Sequence, residues 1–310
     1  MIKEKTNWSA VWDNFPDGSM LDIVAKNLAL ESDCVQVLSR AQDVLFADAA
    51  ALESVLSAAK ALIQSHSDEA ESILRTAAQI VNLPWQTVAA VMLIQAVPAM
   101  GQVYCEKAIA QQILWDTLID LKCKLEENYN LTGVWGTEAV DWYARVYNAR
   151  IIKLGRLEFE PIAYRWDTPY GSIRKGDPVM NVHVPSCGPM LLADVLASFQ
   201  KAYEFFGYQQ PMPVVMASWL LYPPICETVM KPGSNMRNLY ELFTLVEQYE
   251  DPNNRNFWRV FHMPYGEGVL DRVPLDNSLR RGICAFMRSG RHMGIGRCAL
   301  LFDGTNVIHK

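Results

Sequence analysis

The chain has 310 residues, half of them hydrophobic and a fifth charged, enough for about two globular domains with full cores. Its 28 basic and 34 acidic residues leave a net charge of −6, which argues against a general nucleic-acid binder. Seven scattered cysteines without a CxxC pair and five dispersed histidines without HExxH offer neither a disulfide framework nor a metal site, and fit reduced thiols in a cytoplasmic protein.

Met1–Pro16 lacks the basic start and apolar run of a secretory leader. The next hundred or so residues carry helical signals only. Asp33–Phe46 places Val35, Val37, Leu38, Ala41 and Leu45 at helical spacing, and Ala47–His66 is rich in Ala, Leu and Glu. Ser67-Asp68-Glu69 reads as an N-cap with acidic first-turn residues ahead of Ile73, Leu74 and Val81. Pro84 restarts the chain into Val88–Met100, the most apolar stretch. It is shorter than the 18 or so residues a membrane span needs, and Gln95 and Pro98 interrupt it. Glu106–Glu127 follows as a long amphipathic segment. Residues 1–128 are therefore expected to form an α-helical bundle domain.

After Asn128 the pattern changes. One more helix is expected at Glu138–Ala149, and then strands begin: Ile151–Tyr164, Pro178–Val184, Pro213–Leu221, Phe243–Tyr249, Phe257–Met263 and Arg297–Phe302. Helices are expected at 189–206, at 224–242 with a break near Pro232-Gly233, and at 276–288. The fold class is thus multi-domain, an α-helical unit followed by a mixed α/β unit over 129–310.

The stretch Pro178–Gly207 stands at the centre of the second half. Met180, Val182 and Val184 fall on one strand face and Asn181 and His183 on the other, and Pro185 ends the strand. Gly188 suits an N-cap and Pro189 the first helical position, ahead of an apolar stripe from Leu192 to Phe206. A helix that starts directly after a buried strand points free N–H groups at an anion such as a pyrophosphate.

The segments VWGTEAVDWYARVYNARIIKLGRLEFEP (134–161), NVHVPSCGP (181–189), SWLLYPP (218–224) and SNMRN (234–238) resemble a bacterial group of acyltransferases with a helical N-terminal domain and a GNAT-like C-terminal domain. The resemblance implies two adjacent strands that splay apart, Val179–Val184 and Val214–Leu221, with the pantetheine arm of an acyl-CoA paired to the exposed edge. Asn181, Val182 and Val184 would then face the arm, Ser186, Cys187 and Gly188 the pyrophosphate, and Ser218 the pocket. The implied reaction moves an acyl group from acetyl-CoA or another acyl-CoA to a small-molecule amine, without a metal. A catalytically weak ligand-binding or regulatory protein is the alternative. The turn departs from the usual (Arg/Gln)-x-x-Gly-x-(Gly/Ala), since Pro189 supplies no N–H. A literal match at Arg291–Gly296 follows a helix and opens a strand, the reverse of a phosphate loop. It reads as a glycine turn, beside which Arg288, Arg291 and Arg297 are phosphate candidates.

Direct amide formation needs a deprotonated amine, a polarised carbonyl and a protonated leaving thiolate. His183 is the candidate general base and Tyr222 the candidate acid. A backbone N–H within 181–184 would polarise the carbonyl. Cys187, near a helix start, is a rival nucleophile. Glu158 and Glu160 share a strand face, either as solvated charges with Arg156 paired to one of them, or as an acidic wall for a cationic amine. Neither nucleic acid nor membrane is an expected partner. The acceptor, the acyl length and the oligomeric state have no signal in the sequence.

Overall fold

The computed structural model describes residues 8–308, the side chains of 8–10 excepted, so part of Met1–Pro16 lies outside the described residues. The chain divides into two compact units between Ile152 and Lys153.

The first unit contains α1 (Trp8–Asp13), α2 (Met20–Leu28), α3 (Ser32–Ala47), α4 (Ala49–Ile63), α5 (Ser67–Val81), α6 (Trp85–Gln95), α7 (Val97–Glu106), α8 (Gln111–Thr132) and α9 (Val140–Tyr147). Asp48 separates α3 from α4 and caps the latter, its carboxylate accepting from Ala51 N–H at 2.9 Å. The apolar run that is too short for a membrane span becomes α6, buried from Thr87 to Gln95 because α2, α3, α4 and α5 pack around it. No single described helix is long and apolar enough to cross a membrane. The unit extends past the expected boundary at 128. Tyr143 and Tyr147 of α9 are buried in the helical core, and Tyr147 donates to Leu93 O at 2.7 Å. Before α9, Gly136 lies against α6 so closely that a Cβ there would fall 2.4 Å from the Gln86 carbonyl carbon.

The second unit is a mixed sheet flanked by helices. Its elements are β1 (Ile152–Leu154), β2 (Leu157–Ala163), β3 (Pro178–His183), α10 (Leu192–Phe205), β4 (Met212–Ser218), α11 (Pro223–Thr228), α12 (Asn235–Glu241), β5 (Thr244–Glu250), α13 (Phe257–Phe261), α14 (Ser278–Arg288), β6 (Gly294–Phe302) and β7 (Val307–Ile308). The strand order is β1-β2-β3-β4-β6-β5, with β7 on β6. The pair β3–β4 is parallel, and α10 provides the crossover that such a pair requires. Phe199 of α10 packs against Phe159 and Phe302, so the helix covers the face carrying those two rings. The loop after β2 covers part of the other face, with Tyr164 and Tyr170 packed on Val179, Val215, Ala299 and Leu301.

Two expected elements differ. The strand at Phe257–Met263 is the helix α13. Phe257, Val260 and Phe261 are buried at helical spacing, the two phenyl rings lie 4.5 Å apart, and His262 ends the turn as a left-handed cap at φ 55°. The helix after β3 begins at Leu192 rather than Pro189, with Leu191 as its N-cap. Gly188 instead takes a left-handed φ of +72° within an extended turn.

Candidate functional site

The seam between β3 and β4 pairs at only two levels, Met180 with Val214 and Asn181 with Val215. Beyond them β3 remains bonded to β2 as far as His183, opposite Glu158, and β4 remains bonded to β6 as far as Ser218, opposite Gly296. Each strand is held by its outer neighbour while the seam opens between them. Past those two levels the ladder between β3 and β4 stops, which leaves a wedge-shaped gap beside residues 182–184 and 216–218 that suits an extended ligand.

On one face of this gap β2 and β3 assemble a polar cluster. Their register brings Glu158, Glu160, Asn181 and His183 to the same side. His183 Nε2 lies 3.0 Å from Glu160 Oε2, and Asn181 Nδ2 lies 3.1 Å from the same ring nitrogen and 3.5 Å from the same carboxylate oxygen. The Glu160 side chain keeps 5% of its surface and His183 keeps 22%, so the carboxylate is buried behind a ring that still reaches solvent. Nε2 can donate to the Glu160 carboxylate or accept an N–H from Asn181, according to the ring's tautomer. The expected solvated strand charges are thus buried acids. Sequence reasoning left Glu160 out of the catalytic set. The available signal was the alternation Glu-x-Glu on β2 opposite Asn-x-His on β3.

Tyr222 stands on the opposite face. After Ser218 the chain makes a tight turn, Trp219–Leu221, and the Ser218 hydroxyl is occupied there, accepting from Leu220 N–H at 3.2 Å. The Tyr222 ring then packs close against β6, where a Cβ at Gly294 would come within 2.6 Å of the ring and one at Gly296 within 1.9 Å of Leu221 O. The glycines of the Arg291–Gly296 match are therefore strand positions that permit close packing, rather than a flexible turn. Burial pushes the Tyr222 phenol up, the Glu250 charge adds to this, and Arg291 opposes it. Its hydroxyl makes no hydrogen bond to a described residue.

The turn between β3 and α10 is braced from below. Arg156, expected to pair with a glutamate, donates from Nε to Pro189 O at 2.9 Å and from Nη2 to Gly188 O at 3.0 Å. Its own N–H donates to Ser198 Oγ at 2.7 Å, which ties the β1–β2 turn to α10. Arg156 takes up the carbonyls of the turn, while α10 has no side chain capping its first N–H groups. The first N–H groups of α10 thus lack a side-chain cap at the end of the turn that carries Ser186, Cys187 and Gly188. Arg288, Arg291 and Arg297 are not brought together. Arg288 bonds Leu270 O and Asp271, Arg291 lies over Phe286, and Arg297 pairs with Glu247. Among the described residues no group of three or more His, Cys, Asp or Glu side chains is set to hold a metal ion.

Residues 21–149 match the family model of an N-acyltransferase N-terminal domain, and residues 151–300 that of a GNAT-like C-terminal domain. The fold is similar to a crystal structure of an acyltransferase in complex with decanoyl-CoA and teicoplanin. The TM-score is 0.73 at 21% identity, over 91% of this chain and 87% of that one. It is similar to a mutant acyltransferase in complex with octanoyl-CoA, with a TM-score of 0.73 at 21% identity over 92% and 88% of the two chains. A third, an acyltransferase in complex with CoA and 10C-teicoplanin, gives 0.69 at 20% identity over 90% and 86%. No curated protein sequence matches the chain.

Proposed function

Because the chain belongs to the N-acyltransferases that join a helical N-terminal domain to a GNAT-like C-terminal domain, we propose that it transfers an acyl group from acyl-CoA to a small-molecule amine by direct attack. The observation that carries this reading is the open β3–β4 seam with His183, backed by Glu160, on one face and Tyr222 on the other. With the thioester lying in the gap, the amine approaches from the His183 side. The imidazole takes its proton as the C–N bond forms, and the Glu160 carboxylate stabilises the imidazolium. A backbone N–H of β3 beside the gap polarises the carbonyl. The C–S bond then breaks toward the other face, where the protonated Tyr222 phenol supplies the proton to the thiolate. The pyrophosphate rests over Ser186–Gly188 at the start of α10.

The complexes of the similar structures make decanoyl- and octanoyl-CoA the donors to try first. Seven free cysteines fit a reducing, cytoplasmic setting. The test is release of CoA thiol from decanoyl-CoA on addition of amines, with mass spectrometry of the products and of the protein. Direct attack predicts amine-dependent release, an N-acyl product and no gain of mass by the protein. Acylated protein formed without an amine would replace this reading with a covalent one, for which Cys187 is the first residue to examine. Binding of acyl-CoA without release would leave a ligand-binding protein.

A further inference from the structure

The sheet face that carries His183 holds a second charged group that the transfer chemistry leaves unused. Register places one row across this face. Glu158 of β2 stands opposite His183 of β3, and Ala217 of β4 opposite Arg297 of β6, which in turn faces Glu247 of β5. His183 and Ala217 share a level across the gap, each two residues beyond the paired Asn181 and Val215. Further along, the same face is packed away under Tyr164 and Tyr170. At this row the packing stops. Ala217 is the one exposed residue of β4, and the Arg297 side chain keeps 36% of its surface.

Arg297 is held in place. Nη1 donates to Glu247 Oε2 at 2.7 Å, and the guanidinium carbon lies 5.2 Å from the centre of the Tyr249 ring. Thr168 N–H donates to the other oxygen of Glu247 at 3.1 Å. Hydrogen bonds from Thr168 and then from Arg297 hold the Glu247 carboxyl below its ordinary range, so it stays ionised and anchors the guanidinium. Nε and Nη2 donate to no described residue. A guanidinium fixed on one side, with donors left over beside an open strip, is suited to bidentate recognition of an oxyanion.

We propose that the amine acceptor carries an oxyanion, a carboxylate or a phosphate, which Arg297 binds across Ala217 while the amine reaches His183. The proposal rests on the acyl-transfer reading. Neighbouring strands lie about 4.8 Å apart and β3 is two steps from β6, so amine and oxyanion are separated by roughly 10 Å or more. Alanine at 217 keeps the line between them clear.

The experiment compares thiol release from decanoyl-CoA with three series of graded length: ω-amino carboxylates, ω-aminoalkyl phosphates and ω-amino carboxamides. The expected kcat/KM for one anionic series exceeds that for the carboxamides by about tenfold or more, as a charge-assisted hydrogen bond allows, and the favoured series identifies the group. In Arg297→Gln this ratio falls toward one, chiefly through KM, and Arg297→Lys keeps part of it. Ala217→Glu, at an exposed position, places a carboxylate in the row and penalises the anionic acceptors more than the amides. A ratio near one in the wild type, or an unchanged ratio in Arg297→Gln and Ala217→Glu, overturns the proposal. So does failure of every amine while decanoyl-CoA still binds in calorimetry. Loss of acyl-CoA binding itself removes the acyl-transfer reading, and this proposal with it.

Discussion

In the helical unit the buried side chains that carry polar atoms are mostly neutral and answer one another. Gln95 donates to Gln42 at 2.9 Å and accepts from Asp17 N–H at 2.9 Å, and Thr87 donates to Trp135 O at 2.8 Å. Its buried acid, Asp120, has Lys124 3.6 Å away, and burial pushes its carboxyl up against the pull of that lysine. In the sheet unit, Glu158 and Glu160 are buried at 1% and 4% exposure where the sheet opens, with the His183 imidazole against Glu160. Neutral pairs are an inexpensive way to fix one packing arrangement. A buried carboxylate facing a half-open histidine costs desolvation and gives little stability in return. Under the proposed reaction the second cluster serves chemistry and the first architecture.

Four substitutions sharpen or break this contrast. The largest effect is expected for His183→Ala, which removes the base and should lower kcat by about 10²–10⁴-fold with acyl-CoA affinity retained. A variant of unchanged turnover in the thiol-release assay would take His183 out of the reaction. Glu160→Gln keeps the shape and removes the charge. Turnover should fall by roughly tenfold or more while the unfolding temperature stays level or rises, because a buried charge has been removed. A clear drop in that temperature with full activity would make the pair structural. Gln95→Leu should show the opposite profile, costing about 1–3 kcal/mol in denaturant unfolding by stranding Asp17 N–H and Gln42.

The smallest effect concerns pH. A general acid must be protonated, and a phenol raised above its ordinary value of about 10 stays protonated further into alkali. The alkaline limb of kcat should therefore lie above that of a free tyrosine. Since Arg291 pulls the phenol down, Arg291→Gln should move the limb slightly higher. A limb shifted the other way would remove Tyr222 from the role of acid.

Much of the architecture was legible because it depends on local period. Val179–His183 alternates, and α6 is apolar on every side, as a helix enclosed by other helices must be. Where short apolar runs satisfy both periods the reading failed. FWRVFHM folds as a helix that buries Phe257, Val260 and Phe261 on one face, with the two phenyl rings 4.5 Å apart. The helix start after β3 was misplaced because Arg156, some thirty residues earlier, holds the turn open at Gly188 and Pro189. His183 and Tyr222 were candidates in the sequence because they stand beside the two strands expected to splay, and their catalytic roles are a proposal. Glu160 was not, since its role arises only when β2 and β3 are set in register. The Gly294 and Gly296 pair misled for the same reason. Its purpose is contact with Tyr222 and Leu221, more than seventy residues away in sequence.

The central claim is that acyl-CoA lies in the β3–β4 gap with its pyrophosphate over the start of α10. Calorimetric titration of decanoyl-CoA into the wild-type protein and into Ser186→Glu tests it most directly. The account predicts micromolar binding that weakens sharply when a carboxylate is placed at the turn, because two like charges then meet at one anion site. No binding at high ligand concentration, or equal binding by both proteins, would contradict it.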